Sequence, residues 1–178
     1  TSDMVLRVKE RFPIRVYAGF DNNGTRFTAQ DRIFAGVNWF NAFNQDHRLG
    51  FQYATDIGFE FLNSFSGNYE IPFPWRHTLT IFGGYSRSRT DFASTPLLQQ
   101  NGHSWQAGLR YEIPLSDIRM LPKFKHDLSI GFDFKRFDNN LEFGSVPIFA
   151  TDADVAQFGL LYRASMPDRS EEHTSELQ

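Results

Sequence analysis

Cysteine is absent from the 178 residues. That excludes a disulfide framework, a CxxC redox pair and any zinc site built on thiolates. Long apolar runs are missing too: charged or polar residues break every one well short of the roughly 18 residues that a membrane-crossing helix needs. Neither sign of charge is in excess. Lys plus Arg is 18 and Asp plus Glu is 21, a formal net charge of −3, which leaves no basic footprint for nucleic acid and no acidic tail for a basic partner. Catalytic signatures are equally scarce. His47, His77, His103 and His126 show no HxH or HExxH spacing, no G-x-S-x-G elbow occurs, and Asp152-Ala153-Asp154 lacks the Gly and Glu of a calcium loop. His103 and Ser104 are neighbours in an extended segment, so they point to opposite faces and cannot form a dyad. The reading is of a chain that is not an enzyme and uses no cofactor or metal.

Aromatic residues, by contrast, are abundant. There are 29 (20 Phe, 6 Tyr, 3 Trp), 16% of the chain, which excludes disorder. Yet the mean hydropathy is −0.43. Where the rings point decides how such a chain is organised.

No window carries a 3.6-residue apolar stripe, whereas period-2 alternation recurs from Phe12 onward. Phe12, Ile14, Val16, Ala18 and Phe20 face one way, and the turn signal Asn22-Asn23-Gly24 follows. Phe27 to Trp39 form a second face, with Phe34 and Phe40 as exceptions. The third segment alternates from Leu49 to Phe59, with Asp56 and Glu60 on its polar side. The fourth runs from Phe65 to Phe73 and is ended by Pro72 and Pro74, which cannot donate to a ladder. Leu79 to Tyr85, Trp105 to Ile113, Leu128 to Phe134 and Ala156 to Ala164 complete eight strands in four hairpins.

These segments run roughly 9–13 residues, about twice the usual strand, and a tilted strand of that length crosses an apolar band of about 25 Å. Trp39, Phe73, Trp75 and Tyr111 gather near one set of strand ends and Tyr85 and Trp105 near the other, as the girdles of a membrane barrel do. The connections after even strands are 42–46, 74–76 and 116–125, and those after odd strands include the longer 90–101 and 139–153, although 22–24 is short, an imperfect form of the asymmetry between periplasmic turns and external loops. The expected fold is therefore all-β: an antiparallel transmembrane β-barrel, partial, with about eight strands. The rival is a soluble β-sandwich binding module, whose apolar faces would pack on each other.

At Phe20-Asp21-Asn22-Asn23-Gly24-Thr25-Arg26-Phe27-Thr28-Ala29 the sequence resembles the first barrel hairpin of the haemolysin secretion/activation proteins, the TpsB outer-membrane partners of two-partner secretion. Asp21, Asn22, Gly24, Thr25 and Thr28 match that family's turn, while Ala29 stands where the family usually has Gly. Asn68-Tyr69-Glu70-Ile71-Pro72-Phe73 is similar to its Tyr-x-x-Pro-Leu strand end, carried here by Tyr69 and Pro72 with Phe73 in place of Leu. His77 to Ser86 resembles the family's fifth strand, and the resemblance extends over about residues 11–166. It implies periplasmic POTRA domains before Thr1 and a barrel of about sixteen strands, of which these eight are the N-terminal half. The family's Val-Arg-Gly-Tyr/Phe lid motif is absent from the chain, as expected of a truncated fragment.

On this reading residues 1–10 are a linker into the barrel, 11–167 the partial barrel, and 168–178 a non-native tail resembling a translated sequencing adaptor. The implied function is translocation of a secreted partner polypeptide through the bacterial outer membrane, with outer-membrane lipid around the barrel, the barrel assembly machinery inserting it, and no nucleic acid involved. Arg32, Asp56, Glu60, Glu70, Arg110, Glu112, Asp133 and Lys135 would line the path, and Trp39, Trp75, Trp105 and Tyr111 would form the girdle. A solute porin or a barrel-assembly relative would share the same wall, so lining alone leaves those alternatives open.

Overall fold

The computed structural model describes residues 12–22, 24, 30–92, 97–115, 125–144 and 146–165. The linker at 1–10, the tail at 168–178, and Thr25 and Thr28 of the first turn lie outside the described residues. Eight strands follow one another: β1 (Ile14–Asp21), β2 (Arg32–Ala42), β3 (His47–Asp56), β4 (Leu62–Pro72), β5 (Thr78–Asp91), β6 (Leu98–Pro114), β7 (Lys125–Phe143) and β8 (Val146–Ser165). Each pairs antiparallel with the next in a single sheet of order β1 to β8, and no helix is present among the described residues. Sequential antiparallel pairing is what short connections between alternating segments permit.

The register puts like with like. Ile14–Trp39, Val16–Val37, Val37–Phe51, Tyr53–Phe65, Ile81–Leu109, Leu109–Phe132 and Ile130–Leu160 are directly opposed pairs on one face. Arg32–Asp56, Arg48–Glu70, Thr80–Arg110 and Gln106–Lys135 share the other. A slip of one residue would exchange the faces of a strand, so keeping apolar with apolar and polar with polar specifies the register.

That apolar face has no protein against it. Among the described residues Ala42 alone is a buried hydrophobic, while Phe51, Ile81, Leu109 and Ile130 are each about two-fifths to one-half exposed. A sandwich would bury those rings between two layers. One layer with a continuous apolar face is the wall of a barrel, here partial, with β1 and β8 as its edges.

Three sequence expectations need correction. The third strand ends at Asp56, not Glu60: residues 57–61 form a turn with Phe59 at φ 59°, so Ile57, Phe59 and Glu60 leave the ladder. Arg32 and Asp56 accordingly lie at strand ends and not mid-strand. The expected long loop at 139–153 is mostly ladder, since β7 and β8 continue to Phe143 and Val146 around Gly144 at φ 55°. β6 likewise begins at Leu98 instead of Ser104. Alternation fades in these extensions because the two faces are alike there, polar at Gln99-Gln100-Asn101 and Asn139-Asn140 and apolar from Val146 to Ala150, and the backbone ladder persists without it. Pro147 is tolerated because β8 is an edge strand and a register irregularity falls at Leu141–Glu142.

Candidate functional site

The polar face is the candidate surface, and its best-defined feature spans β5 to β7. The Arg110 guanidinium donates to Asp133 Oδ2 at 2.6 Å and to the Leu109 carbonyl at 3.0 Å, and it also lies 5.3 Å from the centre of the Phe82 ring. These side chains lie flat because glycines sit beneath them. A Cβ at Gly131 would come within 2.5 Å of the Arg110 guanidinium, and one at Gly108 within 2.5 Å of Phe82 and 2.7 Å of Asp133 Oδ1. Glycine in these strands is therefore a packing requirement that leaves room for charged groups to spread over the wall.

The other anticipated wall residues distribute as follows. Glu70 pairs with Arg48 at 3.2 Å in a solvent-exposed ion pair. Glu112 lies across from Thr78 and Ser129, where Arg76, Asp127 and Arg163 help line a depression of about 250 Å³ near the short turns. Lys135 borders a second depression of about 170 Å³ with Ser64, Ser66, Ser86, Ser104 and Gln106. Arg32 opens β2 between Asp21 and Asp56, and its Nε is buried without a hydrogen-bond partner. Asp56 is 1% exposed, and its carboxylate accepts the backbone N–H groups of Glu60, Phe61 and Leu62 at 2.8–3.2 Å. It organises the β3–β4 turn, with Glu60 beside it. Phe34 and Phe40, the exceptions to alternation, lie on this face as well: Phe34 covers Gly19, and Phe40 lies 5.0 Å beneath the Arg15 guanidinium.

At the short-turn end of the apolar face the rings cluster. Trp39 contacts Phe43 at 4.9 Å between centroids, and Phe73 stacks on Trp75 at 4.7 Å. Trp75 Nε1 donates to the Tyr111 hydroxyl at 3.3 Å. Toward the opposite end Tyr85 lies across from Trp105, which packs against Phe134 at 4.9 Å. Asp21 ends β1 across from Arg32, Asn22 follows it, and the Gly24 N–H donates to the Gln30 carbonyl at 3.0 Å, while Tyr69 and Pro72 lie at the lower part and end of β4.

Two arrangements were not anticipated from sequence. One is the turn-capping role of Asp56, signalled only by an acid preceding Gly58 at the end of an alternating run. The other is a hydrogen bond joining His47 to Tyr69, His77 to Tyr111 and His126 to Tyr162. The recurrence of His-x-Leu at 47–49, 77–79 and 126–128 was its visible trace. No group of three His, Asp or Glu side chains suited to a metal occurs among the described residues. His103 and Ser104 fall on different rungs, opposite Arg87 and Ser86.

The fold is similar to two solved structures. CdiB from Escherichia coli superposes with a TM-score of 0.78 at 13% identity, over 91% of this chain and 30% of that one. CdiB from Acinetobacter baumannii gives a TM-score of 0.57 at 16% identity, over 86% of this chain and 28% of that one. The chain thus spans about a third of the length of these structures. No curated protein sequence matches it significantly. The model of the haemolysin secretion/activation protein family ShlB/FhaC/HecB matches residues 1–169. A family match along nearly the whole chain, joined to a one-layer antiparallel sheet of the CdiB kind, places this chain in the haemolysin secretion/activation protein family.

Proposed function

We propose that the chain is part of a bacterial outer-membrane transporter of two-partner secretion, passing an unfolded partner polypeptide along the polar face of its barrel. The observation that carries this reading is the division of one protein layer into a continuous apolar face and a polar face of mixed sign, in a chain of this family. The apolar face meets lipid. The polar face meets water, where Glu70, Arg110, Glu112, Asp133 and Lys135 form a hydrated wall, with Arg32, Asp56 and Glu60 at its rim.

The mechanism requires no bond-making group. Part of a mixed-sign wall neutralises itself locally, as Arg110 does with Asp133 and Arg48 with Glu70, so a passing chain meets compensated charge at those rungs. Glycines on the same face lower the relief of the wall, and the serines and Gln106 offer exchangeable hydrogen bonds to a passing backbone.

A photo-crosslinking residue in the full-length transporter, co-expressed with its partner, tests this. At Gln106 or Lys135 it captures the partner in transit, and at Leu109 it captures none. Equal capture from both faces, or capture from neither during active secretion, would overturn the reading.

A further inference from the structure

The polar face does not stay polar to its end. On β7 the side chains that follow Lys135 on that face are Phe137, Asn139, Leu141 and Phe143. Leu98 of β6 and Val146 of β8 stand on either side of Phe143, and Phe149 of β8 stands across from Leu141. Phe137 is 43% exposed, Phe143 45%, Phe149 59% and Val146 64%. The residues between them on β7, Asp138, Asn140 and Glu142, alternate onto the other face, across from His103, Asn101 and Gln99 of β6. An apolar strip therefore climbs the polar side of the sheet with polar side chains at its back.

The strip stands where only part of the wall remains. β3 and β4 are joined by the turn at 57–61, and their rung Thr55–Asn63 continues through Arg87 and His103 to Asp138. Leu141 and Phe143 lie farther along β7, beyond that rung. Trp105 of the outer girdle lies across from Arg136. In a strand tilted about 40° each residue adds about 2.5 Å of height, so Phe143 stands roughly 17 Å past the girdle.

Contiguous exposed apolar surface of this kind marks a place of contact. Lipid is not the occupant, because the strip is on the face turned away from it and rises beyond the girdle. A second barrel is not either, since it would meet the side carrying Asp138, Asn140, Glu142 and Asp152. Continuity names the remaining one. Phe137 shares its depression of about 170 Å³ with Lys135, Gln106, Ser104 and Ser86, so a chain moving along that polar wall toward the β7–β8 turn meets Phe137 next and then Leu141.

An extended chain presents every second side chain to one side, at intervals of about 6.6 Å. Leu141 and Phe143 repeat that interval on β7, and Asn139 and Gln100 beside them offer hydrogen bonds to a backbone. We propose that the strip of Leu98, Phe137, Leu141, Phe143, Val146 and Phe149 receives emerging partner segments in which apolar side chains alternate with polar ones. This names the chemistry of the partner and rests on the reading given under Proposed function. The strip holds the apolar side chains out of water until the emerging chain packs them itself.

The test uses the full-length transporter during secretion of its partner, with a photo-crosslinking residue at Leu141 or, facing the other way, at Asn140. Leu141 captures the partner and Asn140 does not, and the captured peptides carry apolar residues at every second position. With the crosslinker kept at Leu141, replacing Phe137, Phe143 and Phe149 together by Ser lowers capture about tenfold, as expected when apolar contact is withdrawn. Replacing the same three by Leu restores it. Capture at Gln106 stays unchanged in both variants and reports that the barrel has inserted. Should the triple Ser variant fail to insert, Phe149→Ser alone lowers capture about threefold, the share of one ring in that contact. Undiminished capture in the Ser variants overturns the proposal, as do captured peptides without alternation, or a crosslink to the transporter itself or to a second copy. Capture at Gln106 with none at Leu141 sinks the strip alone, whereas capture at neither during active secretion sinks the translocation reading beneath it.

Discussion

Arg110 on β6 meets Asp133 on β7 at 2.6 Å on the polar face, while its chain neighbour Leu109 stands against Phe132 on the other. Two consecutive residues thus experience opposite solvents. Leu109→Arg is expected to destabilise the full-length barrel by about 2–4 kcal/mol in lipid, the cost of a cation near mid-bilayer. Arg110→Leu, beside water, should cost clearly less. Urea unfolding in vesicles measures both, and equal losses would show the faces to be misassigned.

Glycine beneath the side chains is the second expectation. Gly108→Val would drive a Cβ into the Phe82 ring and Asp133, neither of which can swing clear without losing its own contact, so a loss of about 1–3 kcal/mol follows. At Gly131 the obstruction is the end of a flexible arginine, so Gly131→Ala should cost less and act by parting Arg110 from Asp133. Double-mutant cycles of Gly131→Ala with Asp133→Asn should then show coupling.

Asp56 stands at the β3–β4 turn, beyond the apolar rings of Tyr53 and Phe65. Burial pushes its carboxyl up, but the N–H groups of Leu62, Glu60 and Phe61 and its own amide outweigh that and hold it below the ordinary 3.8. A depressed folded value means stabilisation is complete above the unfolded value and is lost as pH falls through the folded one. Protection of the Glu60–Leu62 amides against hydrogen exchange should hold at pH 5 and drop below pH 3.8. Asp56→Ala should remove it at both, at a cost of about 1–3 kcal/mol.

The chain alone leaves β1 and β8 as edges, and on β8 Phe158 is 83% and Leu160 73% exposed. Unpaired edges are not tolerated in lipid. In detergent the 178-residue chain should aggregate or pair edge to edge. A monodisperse, heat-modifiable monomer on a gel would contradict this.

Much of this architecture was legible in the order of residues. Period-2 alternation such as Trp105 to Ile113 against Ser104 to Glu112 defines strands and their faces, because successive side chains of a strand must point oppositely. Asp21 to Thr28 and Tyr69 to Pro72 carried the family, and the match over residues 1–169 agrees. The strand extensions at Leu98, Phe143 and Val146 carry no period-2 signal because that period reports two unlike faces, and these stretches are alike on both, polar at Gln99-Gln100-Asn101 and apolar from Val146 to Ala150.

The aromatic-rich, hydrophilic composition and the alternation were thus enough to determine one apolar and one polar face. What covers the apolar face was not, since a sandwich and a barrel wall share the same period. Tertiary structure decided that, by leaving Ala42 as the one buried hydrophobic among the described residues. It also decided which distant side chains meet. Arg110 with Asp133, Asp56 with the turn amides and each His with its Tyr depend on cross-strand register and tilt, and register is a relation between strands that no single strand encodes.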